Sequence, residues 1–222
     1  MILRRRGRVI LYGMTTSPEP LDLNRRYTEA EYLAITETCE GRYDFVDGRM
    51  IDVRAMAGGT EFHSLICANV IGELHAALKG GPCRAYTSDL RVKNRRKSRY
   101  RYPDVSVACG PSEFADDDPK RFNLLNPTLL IEVVSETSVQ NDYVTKLKEY
   151  LELESLREYV LVLQAEPRID LVRRQPDGTW QIASVAGLDA VAELPSIGVR
   201  LKLVDVYAGV TFSPTEEEPA AV

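Results

Sequence analysis

Tyr102-Pro103-Asp104-Val105 and, further along, Ile131-Glu132-Val133-Val134 are the segments whose reading decides the fold. Each is an apolar, strand-like run carrying one carboxylate that such a strand does not need. An ionised carboxylate is costly to bury unless it is paired or bound to a metal. Two of them on neighbouring strands would form a hard, oxygen-rich site of the kind that holds Mg²⁺. The competing reading pairs each acid with a nearby arginine such as Arg101.

Outward from these segments the pattern alternates between helical and extended. Thr28-Glu29-Ala30-Glu31 is a capping box opening a short helix to about Glu37. Asp47-Gly48 sits between two strand-like runs at 43–46 and 50–53, a hairpin signal. Gly58-Gly59 is a turn that leads to an amphipathic helix over about 60–79, closed by Gly80-Gly81. Strands are expected over 83–93 and 103–109, then a loop over 110–126. The nearly all-apolar strand 128–134 predicts burial on both faces. A helix over 139–154, a strand over 158–163 and a hairpin over 168–185 turning at Pro176-Asp177-Gly178 follow. Short strands are expected to about Val210. The core order is thus αβββαβ, an α/β (α+β) arrangement of a mixed sheet flanked by helices, with N- and C-terminal hairpins. Residues 28–212 read as one domain, 1–27 as a flexible extension and 213–222 as a disordered tail.

The 222 residues are 44% apolar and 27% charged, ordinary for a soluble globular protein. No apolar run approaches the ~20 residues needed to span a bilayer, so no membrane partner is expected. Cys39, Cys67, Cys83 and Cys109 are scattered and only His63 and His75 accompany them, which argues against structural zinc. Four separate thiols suit a reducing, cytoplasmic setting. Arg4 to Arg6 precede an apolar stretch, Val9 to Met14, too short for a signal peptide, and Met14 is the expected start. The net charge is −5, yet Arg91, Lys93, Arg95, Arg96, Lys97, Arg99 and Arg101 form an uninterrupted basic run just before Asp104. Such a run is either a solvated hairpin tip or a contact for a nucleic-acid backbone.

Together, Tyr43-Asp44-Phe45-Val46-Asp47-Gly48, His63, Pro103-Asp104-Val105, Glu132-Val133-Val134-Ser135, Asp142-x3-Lys146-x3-Tyr150 and Glu158-Tyr159-Val160-Leu161-Val162 resemble one family. It is the PD-(D/E)XK nuclease superfamily, and within it the bacterial restriction-endonuclease branch called the Uma-type family. The resemblance covers roughly residues 28–165. It implies a restriction-endonuclease-like fold and a Mg²⁺- or Mn²⁺-dependent DNA endonuclease, a hydrolase acting on phosphodiesters. It further implies DNA as partner and a homodimer or higher homo-oligomer. Asp104 and Glu132 would hold the metal, with the carbonyl of Val133 as a third ligand by analogy.

The superfamily places a lysine two residues after the glutamate, where this chain has Val134. In the Uma-type branch the lysine is relocated to the next helix, and Lys146 fits that place. An α-helical wheel puts Lys146 about 60° from the centre of the apolar face, within reach of the carboxylates. The alternative is a surface Asp142–Lys146 pair at i,i+4. His63, Glu73 and Asp44 are accessory candidates; Asn69 and Glu73 interrupt the apolar arc of the first core helix, and Asp44 stands where related chains carry Glu. A second reading keeps the fold without the chemistry: a catalytically inactive nucleic-acid-binding or assembly module.

Overall fold

The computed structural model describes residues 21–39, 41–53, 60–116 and 118–212. Most of the expected extension including Met14, the Gly58-Gly59 turn and the expected tail 213–222 lie outside the described residues.

Helix α1 (Glu29–Thr38) opens with the anticipated capping box: Thr28 Oγ1 accepts from Glu31 N at 3.2 Å, and the Glu31 carboxylate accepts from Thr28 N at 2.7 Å. Strands β1 (Tyr43–Val46) and β2 (Arg49–Asp52) join at Asp47-Gly48. Both turn residues have positive φ, 49° and 88°, as the tight hairpin turn that matches strand twist requires. The long helix α2 (Glu61–Leu78) follows, capped by Thr60, which accepts from His63 N.

The region expected as one strand over 83–93 is instead two. Strand β3 (Cys83–Thr87) and strand β4 (Arg91–Lys93) belong to different sheets, because Ser88-Asp89 turn the chain between them. Then come β5 (Arg99–Arg101), β6 (Val105–Cys109), β7 (Asn123–Leu124) and β8 (Leu129–Val134). Helix α3 begins as a π-helical turn, Asn141–Lys146, and continues as α-helix, Leu147–Leu151. It is followed by β9 (Glu158–Leu163), β10 (Arg168–Arg174), β11 (Trp180–Ala186), β12 (Val191–Leu194), β13 (Val199–Lys202) and α4 (Leu203–Val206).

The main sheet runs β11-β10-β9-β8-β6-β3, with β8 and β9 parallel and the other neighbours antiparallel. The second runs β2-β1-β5-β4-β7, and β12-β13 form a hairpin. The predicted αβββαβ core is therefore α2-β3-β6-β8-α3-β9. Strand β8 is buried at all six positions, as its composition predicts for a strand covered on both faces. Its residues alternate: Leu129, Ile131 and Val133 pack with Ile66, Val70 and Leu74 of α2. Leu130 and Val134 pack on the opposite side with Tyr150 of α3, Leu156 and Tyr159. By the same period of two, Glu132 faces α3.

The cysteine expectation needs correction. The β3–β6 register sets Cys83 opposite Cys109, and the two form a disulfide; Cys39 and Cys67 are free. Nothing in their sequence separation of 26 signals that pairing. Among the described residues no helix is long and apolar enough to cross a membrane.

Candidate active site

The antiparallel β6–β8 ladder pairs Val105 with Ile131, and one step further sets Asp104 against Glu132. Both acids line a single cavity of about 30 Å³, with Asp44, His63, Val133, Asp142 and Lys146 also in its wall. That volume suits one or two water-sized groups. Among the described residues no arginine stands at ion-pair distance of Asp104. Its Oδ2 accepts from the backbone N–H of Val133 at 2.8 Å and lies 3.4 Å from His63 Nε2. Where the β6–β8 ladder ends, the side chain of Asp104 thus takes up a free backbone donor of β8.

Glu132 is buried at 3% exposure, and both of its oxygens are occupied. Tyr150 donates its hydroxyl to Oε1 at 2.9 Å, and Lys146 Nζ stands 2.8 Å from Oε2. The same ammonium lies 2.9 Å from Asp142 Oδ1. The two readings of Lys146, a partner for Glu132 or a pair with Asp142, are both realised. The Asp142 pair is not on the surface: Asp142 is 2% and Lys146 9% exposed. A 3.6-residue wheel left Lys146 at the border of the buried face; the π-helical turn that carries both residues shifts that register and brings them inward.

Glu132 and Asp142 share this one ammonium, while Asp104 pairs with His63. Burial pushes the Glu132 carboxyl up to about 8; Lys146 opposes the shift, and Asp104 and Asp142 add to it. For Lys146 burial acts downward, but Glu132 and Asp142 outweigh it and hold the ammonium above its usual range. Lys146 therefore stays charged among these acids.

His63 is raised above 6.5, first by its hydrogen bond to Asp104 and against the effect of burial. Its Nδ1 faces Cys67 Sγ at 3.7 Å. His63, Cys67 and Asp104 offer ligand atoms within 4.8 Å of one another, a geometry open to a softer ion than Mg²⁺. However, burial and the carboxylates of Asp104 and Glu132 push the Cys67 thiol well up, against the thiolate that a metal needs, and Cys67 is not in the cavity wall. The oxygen-rich side is the better cation site.

The remaining candidates divide. Asp44 lines the cavity, but its carboxylate accepts from Arg101 Nη1 at 2.8 Å and from Tyr102 N at 2.9 Å, so it ties down the segment that carries Asp104. Glu73 is exposed on α2 and does not reach the cavity. Asn69, beside it on the arc, donates to the carbonyls of Val206 and Ala208 at 3.0 Å and fastens α2 to the end of α4. The basic run forms the β4–β5 hairpin as expected, but it is not a free cationic stripe. Lys93 pairs with Glu29, Arg95 with Glu113, Arg96 with Glu154, Lys97 with Glu152, Arg99 with Asp47 and Glu152, and Arg101 with Asp44 and Glu149. Arg91 turns inward against Tyr32 and Thr36. Asp142 and Tyr150, quoted above only as flanking positions of the Lys146 motif and not as site residues, both contact the Lys146–Glu132 pair. Their signal was the i,i+4 and i,i+8 spacing that sets both on one side of α3 with Lys146.

The family model Uma2, described as "Putative restriction endonuclease", matches residues 29–204. The uncharacterized protein slr1290 of Synechocystis sp. (strain ATCC 27184 / PCC 6803 / Kazusa) is 32% identical over 182 residues, covering 82% of this chain and 92% of its own length. A second uncharacterized protein of that strain, sll1609, is 27% identical over 166 residues, 75% of this chain and 91% of its own. The crystal structure of a "putative nuclease belonging to DUF820" from Anabaena variabilis ATCC 29413 shares the fold. It superposes with a TM-score of 0.66 at 19% identity, over 83% of this chain and 99% of that one. With the model spanning most of the chain and the core order α2-β3-β6-β8-α3-β9 in place, the protein belongs to the Uma2 family.

Proposed function

We propose that this protein is a Mg²⁺- or Mn²⁺-dependent endodeoxyribonuclease that hydrolyses phosphodiester bonds. The observation that carries this reading is the convergence of Asp104 and Glu132 on one cavity with Lys146 against Glu132. The Uma2 description and the nuclease named for the Anabaena structure support the same class of chemistry.

The donor set fits a hard divalent ion. Three carboxylates converge on this cavity beside Lys146 and His63, and among the described residues the buried Asp142 Oδ1 accepts no hydrogen bond, although Lys146 stands at ion-pair distance. Asp104, Glu132 and the Val133 carbonyl would hold the ion. When bound, it would neutralise phosphoryl oxygens and make a water acidic enough to attack. Lys146, kept cationic by its acids, stabilises the negative charge that develops on those oxygens and does not serve as a base. Glu132, held between Lys146 and Tyr150, would present its carboxylate to that ion. Tyr150 and Asp142 fix the two partners, and His63 orients Asp104.

Purified protein should cut or nick DNA when Mg²⁺ is supplied, tested on duplex, single-stranded and structured substrates, and Asp104→Ala should abolish cleavage without unfolding the chain. Unchanged cleavage in that variant refutes the assignment. A specific observation favours a second reading: six of the seven cations in the basic run are already engaged by acids. A catalytically inactive nucleic-acid-binding or assembly module would bind DNA without metal uptake or cleavage. Self-association belongs to the first proposal, since β3 and β11 are the edge strands of the main sheet among the described residues and a second copy can pair with such an edge; light scattering checks it.

A further inference from the structure

Arg91 is the exception in the basic run. It is 5% exposed, and no carboxylate lies within ion-pair distance of it among the described residues. Among the described residues only its Nη1 is hydrogen-bonded, to the Tyr32 hydroxyl at 3.2 Å and Thr36 Oγ1 at 2.8 Å, both neutral. The rings of Tyr32, Tyr100, Tyr102 and Phe122 surround the guanidinium with centroids 5.4, 5.7, 6.0 and 6.0 Å away, near the outer limit of cation–π attraction. A buried cation without a counter-charge is costly, and rings at that range offset only part of the cost.

The guanidinium opens on a cavity of about 80 Å³, separate from the acidic one and roomy enough for several water-sized groups. Its charged lining is Arg91, Lys93 and Lys120 against Glu37 and Asp118. Lys93 is engaged by Glu29 at 3.0 Å, whereas Lys120 has no acid at ion-pair distance among the described residues and lies over the Phe122 ring. Asp118 Oδ2 is committed to Asn123, accepting from its backbone N at 2.7 Å and its Nδ2 at 2.9 Å. That second bond fixes which way the amide points, so Asn123 Oδ1 is a buried acceptor without a hydrogen bond. Phe122, 42% exposed, also lines this cavity.

We propose that this cavity binds the phosphate of a nucleotide, free or at the 5′ end of a strand. Arg91 and Lys120 hold the phosphate oxygens, Phe122 stacks the base, and Asn123 Oδ1 accepts from a ligand hydroxyl or amino group. Tyr102 separates this cavity from the acidic one: it lines the latter and turns its ring towards Arg91. The inference does not depend on the nuclease reading.

Calorimetric titration of the full chain in metal-free buffer tests it. The probes are inorganic phosphate, a nucleoside 5′-monophosphate, the parent nucleoside, and one oligonucleotide with and without a 5′-phosphate. The monophosphate should saturate, inorganic phosphate should bind more weakly, and the nucleoside should not bind. A preference for the phosphorylated oligonucleotide over its unphosphorylated twin identifies a strand end as the source; saturation by the mononucleotide alone identifies a free nucleotide. Lys120→Gln and Phe122→Ser, both at exposed positions, should each weaken binding several-fold. Arg91→Lys, which keeps the charge and protects the fold, should weaken it by about tenfold, since the guanidinium fork is lost. Asp104→Asn should leave this binding unchanged, so failure here and failure of the nuclease reading are separable. Absence of saturation by every phosphate-bearing probe, or full affinity in both Arg91→Lys and Lys120→Gln, overturns the proposal.

Discussion

The acidic cavity and the β4–β5 hairpin are both dense in charge, and the chain treats them in opposite ways. In the hairpin, each cation from Lys93 to Arg101 meets an acid from another element, and the exposed ones form pairs that water also solvates. In the cavity, two carboxylates close in on one buried ammonium and a third pairs with His63. A run of like charge in sequence therefore says little by itself. Packing and register decide which charges stay unbalanced: six of the seven cations in the run are paired, whereas Asp104 and Glu132 converge on one cavity.

Substitutions can break or sharpen that contrast. The largest effect should come from Asp104→Asn or Glu132→Gln, each lowering metal-dependent cleavage at least ~10³-fold in a steady-state assay with little loss of secondary structure. Lys146→Met strands Glu132 and Asp142 in the interior and should cost about 3–5 kcal/mol in urea unfolding. Within the hairpin, Arg101→Met should behave like the cavity and not like its neighbours. Arg101 is 3% exposed between Asp44 and Glu149, so about 3 kcal/mol is expected.

The pH dependence follows from the raised Glu132. The native state keeps a proton that the unfolded chain releases above its ordinary 4.5, so this group lowers stability as pH rises from 4.5 to about 8. His63 acts in the same sense, its pairing with Asp104 being fully present below 6.5 and lost as pH rises through its elevated value. Cation binding needs the Glu132 carboxylate, so the extra stability conferred by Mg²⁺ should grow over that window and flatten above it. Thermal melts with and without Mg²⁺ would show this, and the growth should vanish in Glu132→Gln. The smallest effect should come from Arg96→Gln: its pair with Glu154 is largely solvent-exposed, and a change below about 1 kcal/mol is expected.

Local rules carried the sequence reading a long way. The capping box at Thr28, the Asp47-Gly48 turn and the unbroken apolarity around Glu132 depend on neighbours within a few residues, and each is found in place. Asp104 and Glu132 were legible because each acid violates the pattern of its own strand. What escaped depends on tertiary placement. The disulfide rests on the β3–β6 register, the break between β3 and β4 on a second sheet competing for the chain, and the burial of Asp142 on a π-helical turn that a regular wheel cannot describe. Glu73 looked like an intruder on an apolar arc, yet the arc extends past what the sheet covers, and the residue is exposed. The acids that neutralise the hairpin, Glu113, Glu152 and Glu154, lie far along the chain, so the basic run read as unpaired.

Whether Asp104 and Glu132 jointly take one divalent cation is decided by titrating Mn²⁺ into the wild-type chain and into Asp104→Asn and Glu132→Gln, with bound ion counted by electron paramagnetic resonance. A single saturable ion is expected in the wild type, with affinity lost in both variants. Full-strength uptake in either variant, or no uptake by the wild type, would contradict that expectation.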